Sequence, residues 1–175
     1  MKKVASRSAQ YPLAQEFAFS FNEYVIDTVS QVKKTFGVAV AVDANGNPLD
    51  PVTGAVEPGL TAGTAVTFDC IPMPVGAVII GGEVIVDTAF VGIGAGATLS
   101  LGIAAAPTAL VNALDLDAAL ADSRTALTLT APLLCSAGQN IRLTTTGLTA
   151  TATAGKVRVR IQYTIDGRAS EVQIV

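Results

Sequence analysis

Lys156-Val157-Arg158-Val159-Arg160-Ile161-Gln162-Tyr163-Thr164-Ile165 places an apolar residue at every second position from Val157 to Ile165 and a polar or charged one between each pair. Successive side chains of a strand point to opposite sides of a sheet, so this period of two predicts a strand with one buried and one solvated face. The same alternation recurs through the rest of the chain. Phe17, Phe19 and Phe21 alternate with Glu16, Ala18 and Ser20, and Val38, Val40 and Val42 follow before the turn sequence Asp43-Ala44-Asn45-Gly46-Asn47-Pro48. Val66, Phe68 and Cys70 alternate with Thr67 and Asp69 up to Pro72 and Pro74, whose missing N–H groups suit a sheet edge or corner. The run from Ala77 to Asp87 is strand-like, and its Gly81-Gly82 pair predicts a bulge or bend. Further strands are expected at 97–104, 125–130 and 140–146, and Asp166-Gly167 predicts a hairpin into a last strand near 169–174.

Helical signals are few. Leu110, Leu114 and Leu120, with Asp115 or Asp117 as a cap, predict one short helix within 107–122, and residues 22–35 mix periods. Many short strands with little helix predict an all-β chain, a jelly-roll-like β-sandwich with an extended N-terminal arm and at most one short helix. The expected organisation is an arm at 1–14 and a single domain at 15–175, with 43–61 as an inserted loop or hairpin.

Residues 88–114 carry no charge, a run longer than the ~20 residues that span a bilayer. Here Val91, Ile93, Ala95, Ala97, Leu99, Leu101 and Ile103 alternate with small residues, so the expectation is continuous strand and no membrane helix. Lys2 and Lys3 are followed by Ala5, Ser6, Arg7, Ser8 and Gln10 where an export signal needs an apolar run, which predicts no export signal and synthesis in the cytoplasm.

The 175 residues hold 14 acids and 11 bases, a net charge of −3 that argues against a general nucleic-acid binder. Charged residues make up 14% of the chain against roughly 25% in an average domain, so Thr, Ser, Gly and Ala must form much of the surface. The chain has no His and no Trp, which removes the commonest general base and zinc ligand. Gly92-x-Gly94-x-Gly96 has the glycines of a dinucleotide loop, but the strand pattern continues through it. Ser30 and Lys33 have the spacing of an activated serine without its partner motifs. Asp43, Asn45 and Asp50 offer oxygens but not the spacing of a calcium loop, and Asp115-x-Asp117 reads as capping. The expectation is a protein that is not an enzyme, with no metal and no cofactor. Cys70 and Cys135 sit in apolar stretches and are expected reduced and at least partly buried, with a disulfide as the alternative. Phe17, Phe19, Phe21, Phe68 and Tyr163 are expected in the core and not on a binding platform.

Charge is segregated along the chain. Between Lys34 and Arg124 there is no base, yet nine acids occur. Two outcomes are open: neighbouring strands mix the signs, or the molecule is electrostatically polar and its ends meet neighbours in an assembly.

Phe68-Asp69-Cys70-Ile71-Pro72-Met73-Pro74-Val75-Gly76-Ala77-Val78-Ile79-Ile80-Gly81-Gly82-Glu83-Val84, then Arg124-Thr125-Ala126-Leu127, then the segment from Ala154 to Gln173, together resemble a group of tailed-bacteriophage virion structural proteins of the head decoration or cement type. The resemblance covers about 100 residues of the 175 and carries no catalytic positions. It implies a homo-oligomer, a dimer or trimer, that binds the major capsid protein on the capsid exterior and stabilises capsomer junctions, with no nucleic-acid or membrane partner. The alternatives are a tail or head-tail component, or a carbohydrate-binding module, against which the missing Trp counts. Acidic shells, which the resemblance implies, would attract Lys2, Lys3 and Arg7 of the arm, with Arg158 and Arg160 on one strand face extending the contact.

Overall fold

The computed structural model describes residues 12–36, 40–63, 65–129 and 131–165. These residues form twelve strands and no helix. The long alternating segment becomes β12 (Ala154–Ile165), inserted between β1 (Leu13–Ser20) and β6 (Ala77–Val91) and antiparallel to both. β9 (Ser123–Ala126) and β10 (Leu133–Cys135) complete this sheet along β6. The facing sheet runs β5 (Val66–Pro72), β11 (Asn140–Thr146), β7 (Thr98–Ile103), β8 (Ala106–Asp115). From β5 onward the chain passes repeatedly from one sheet to the other, with β7–β8 an antiparallel pair within one of them, which gives the jelly-roll-like sandwich expected. A third sheet, β2 (Tyr24–Ile26), β3 (Lys33–Phe36) and β4 (Thr61–Gly63), pairs β3 and β4 in parallel.

The period of two now does its packing. Phe19, Val157 and Val86 lie opposite one another across three strands, as Phe17, Val159 and Val84 do, and all but Phe17 are buried. From the facing sheet Phe68, Leu99, Leu101, Ile141 and Leu143 close the core. Phe68 meets the rings of Phe17 and Phe19 at 5.9 and 5.5 Å between centroids, tilted as aromatic quadrupoles prefer. Pro72 ends β5, an edge strand, as its missing donor requires. At the glycine pair, Gly81 faces Gln162 but Ile79 faces Tyr163, so Ile80 is the extra residue of a bulge and β6 runs on without turning a corner.

Two expectations are corrected. The alternation through 92–96 is not strand: Gly92, Gly94 and Gly96 have φ of 81°, 89° and 88°, and the chain turns there between the sheets. A Cβ on Gly94 would lie 1.9 Å from Thr149 Oγ1, so the turn needs glycine for its backbone and for its close approach. The helix expected within 107–122 is instead β8 and the loop after it. Leu99 faces Leu114 while Leu101 faces Val111, a bulge at which Ala113 takes φ of 50°, and the extra residue turned a strand period into leucines four apart. Asp115 Oδ1 does accept from the N–H groups of Asp117 and Ala118, each at 3.0 Å, but in a turn that opens a loop. Among the described residues no helix is long and apolar enough to cross a membrane; the uncharged 88–114 stretch is the end of β6, the glycine turn, β7 and most of β8. Of the 38–42 alternation, Val42 makes a single bridge to Pro48 across the Asp43 turn. The final hairpin and the arm before Pro12 lie outside the described residues.

Cys70 and Cys135 are free and buried. Burial pushes the Cys70 thiol up to about 12 and raises Cys135 as well, and Cys70 Sγ donates to the Ile141 carbonyl at 3.3 Å.

Leu101→Ala should cost about 2–5 kcal/mol in urea unfolding, because Leu101 is fully buried between the sheets, whereas Leu120→Ala at 75% exposure should stay within about 0.5 kcal/mol. Equal losses at the two positions would contradict this core. Both thiols should resist a thiol-specific reagent in the native protein at pH 8 and react on unfolding; rapid native labelling of either would show that its strand opens.

Candidate functional site

The outer face of the large sheet carries charge on four adjacent strands. Glu16, Arg160 and Glu83 face one another across β1, β12 and β6. Arg160 Nε and Nη2 donate to Glu16 Oε2 at 3.1 and 3.0 Å, and its Nη1 reaches Glu83 Oε1 at 3.5 Å. Arg124 on β9 donates to the same Glu83 oxygen at 2.8 Å. Arg158 Nη2 donates to Asp87 Oδ1 at 2.6 Å and its Nη1 lies 3.5 Å from Glu16 Oε1. That hydrogen bond to Asp87 raises the Arg158 pKa. Ile85, opposite Arg158 and Arg124 in register, is only 1% exposed on this solvent side, as expected where arginine stems lie over an apolar residue.

Arg158 and Arg160 therefore share a face, as the sequence predicts, but not as a free positive patch. Glu16, Glu83 and Asp87 match them because β12 is threaded between the strands that carry those acids. Lys2, Lys3 and Arg7 lie outside the described residues.

The segment 22–63 builds its turns on aspartates. Asp27 is buried; burial raises its pKa, but the Lys34 ammonium and hydrogen bonds from the Val29 N–H at 2.9 Å and Ser30 Oγ at 3.1 Å outweigh that and hold the carboxyl below its usual value. Asp43 accepts from the N–H groups of Asn45 and Asn47, each at 2.8 Å, and from Asn47 Nδ2 at 2.9 Å. Asp50 accepts from Val52 and Thr53 N–H groups at 2.6 and 2.9 Å. These donors engage both aspartates the sequence offered to calcium, and among the described residues no cluster of three His, Cys, Asp or Glu side chains could hold a metal ion. Ser30 serves Asp27 and Lys33 pairs with Glu57, so the two are turned to different partners.

The turns at Asp27 and Asp50 wall a groove of about 670 Å³ beside β1 and the edge of β5. Phe17, Tyr24, Val25 and Phe68 line it, and Ile26 and Val52 stand at it 57% and 58% exposed. Glu23, Asp50 and Asp69 also line it, and no Lys or Arg does. Asp69 is matched by Arg142 at 2.9 Å, whereas Glu23 and Asp50 make no ion pair among the described residues. Sequence reasoning missed the groove because its walls come from the mixed-period 22–35 segment and the 43–61 loop. The only signal was valine and isoleucine, at Ile26, Val29, Val32 and Val52, amid turn residues.

No protein-family model matches the chain, and no curated protein sequence does. The fold is similar to that of a chain in the solved structure of the cyanophage Pam1 capsid asymmetric unit, over 93% of this chain and 92% of that one, with a TM-score of 0.57 and 17% identity. At this identity the likeness shows a shared fold.

Asp27 links the groove-bearing segment to pH. Its folded pKa is depressed, so its contribution is present above the unfolded value of about 3.9 and is lost as pH falls through the folded value. Asp27→Asn should cost about 1–3 kcal/mol at pH 7 and flatten the decline of stability below pH 4, read from denaturant midpoints across pH. An unchanged acid limb would show that Asp27 is not the linked group.

Proposed function

We propose that this chain is a structural protein of a bacteriophage virion, and within that class a decoration or cement protein on the capsid exterior. The observation that carries the reading is the fold likeness to a capsid chain along nearly the whole length of both proteins. The surface chemistry supports it: charge is sparse, and on the large sheet all of it but Lys156 is paired within the molecule among the described residues, which leaves broad neutral faces of the sort that pack against neighbours. The reading is non-catalytic, needs no cofactor, and makes the major capsid protein and further copies of the chain, as a dimer or trimer, its partners. Neither nucleic acid nor membrane enters it.

The mechanism is added interface area. A rigid sandwich bridging capsomers at many equivalent places resists internal pressure through many weak contacts held simultaneously. Lys2, Lys3 and Arg7 are proposed as contacts to neighbours in the assembly. Arg158 and Arg160 take part as a neutralised lattice that stiffens the sheet.

Purified protein added to heads that lack it should bind saturably, in a fixed ratio to the major capsid protein, and raise the temperature at which the genome is released. Absence of binding at low and at high salt, or binding to isolated tails instead, would overturn the decoration reading.

A further inference from the structure

We infer that the groove beside β1 receives the N-terminal arm, residues 1–11, of a neighbouring copy of this chain. The inference takes from the proposed function only that copies meet, and self-association of the chain in solution is its main test. Charge is the first ground. The described residues hold twelve acids and seven bases, whereas residues 1–11 hold Lys2, Lys3 and Arg7 and no acid. The groove shares that difference at Glu23, which makes no ion pair among the described residues, whereas Asp50 is buried, bonded to the Val52 and Thr53 N–H groups and acted on by Lys33. Chemistry is the second ground: Val4 and Tyr11 give the arm apolar side chains for a cleft walled by Phe17, Tyr24 and Val52.

The sheet edge is the third ground. β1 pairs with β12 on one side and with no described strand on the other, so its outer edge offers backbone groups to an added strand. Eleven residues extended reach up to about 36–40 Å, which suffices for a groove on the same chain or on the next. Direction separates these two. The arm enters β1 through Pro12, and the residue before a proline is biased to extended backbone. Filling its own groove would require a reversal within Ser8-Ala9-Gln10-Tyr11, which has none of the Gly, Asn or Asp that tight hairpins use. An arm that continues in the direction of β1 leaves its own groove behind and meets another copy. Exposed charge pairs are individually weak, so apolar contact and strand pairing hold the arm while charge orients it.

The test uses the full chain in solution. Sedimentation equilibrium should show self-association that weakens at least tenfold in an arm variant (Lys2→Glu, Lys3→Glu, Arg7→Glu) and equally in a groove variant (Glu23→Lys, Val52→Lys). Thermal melting should confirm that each remains folded. An equimolar mixture of the two should associate more tightly than either alone, because inverted arms then meet inverted grooves. A monomeric full chain, self-association indifferent to both variants, or variants that fail to complement would overturn the inference. So would a groove variant that keeps self-association and loses only binding to heads, an outcome that assigns the groove to the shell and leaves the decoration reading intact.

Discussion

Everything in this molecule hangs on β12 being hydrogen-bonded along both its edges. Residues 154–165 pair with 13–20 on one side and with the central strand β6 on the other. Neither pairing is local, since the first joins positions about 140 apart in sequence, so the sheet cannot close until nearly the whole chain is made and loop closure has been offset. Once closed, the alternation of β12 delivers Val157, Val159 and Ile161 to the core and Arg158 and Arg160 to solvent in one step. A slip of one residue would reverse both sets, so the register is specified twice, by burial inside and by ion pairing outside.

The same insertion resolves the segregation of charge. Bases near the C-terminus and acids in the middle of the sequence become neighbours because β12 lies beside β6. Lys33 with Glu57, and Arg142 with Asp69, repeat the pattern in the other sheets. Of the two outcomes the sequence left open, mixing across strands holds for the described body. It is incomplete, because Glu23, Asp43, Asp50, Asp115, Asp117 and Asp122 have no ion-pair partner among the described residues. The surplus is acidic: among the described bases only Lys156 lacks an ion-pair partner, and three further bases, Lys2, Lys3 and Arg7, belong to the arm sequence.

How much of this was legible follows from where strict alternation survives. β1, β11 and β12 keep one residue per pleat, as β5 does up to a bulge at Cys70, and could be read directly, Phe19, Phe68 and Leu143 included. β8 could not, because one extra residue near Ala113 converts a strand period into leucines four apart. The turn at 92–96 misled in the opposite direction: glycines chosen for positive φ happened to alternate with small apolar residues and imitated a strand. Arg158 and Arg160 were correctly placed on one face, but their partners belong to strands that only the topology brings together. The groove left least trace, since side chains from four separate segments make it and none carries a chemical motif.

Edges explain why the groove lies where it does. A sandwich leaves free strand edges that natural proteins obstruct. At β5 the obstruction is built in: the Thr28 N–H and hydroxyl bond to the Thr67 carbonyl at 2.7 and 3.1 Å, and Pro72 removes a donor at the strand's end. That contact anchors the turn between β2 and β3 against β5, and the Asp50 turn then stands over the gap toward β1. The 43–61 segment is thus more than an insertion, because its Asp50 turn forms part of the wall of a groove that adjoins an unpaired edge. Covering one edge while leaving its neighbour open beside an apolar, acidic cleft is consistent with an edge reserved for a strand from outside the domain.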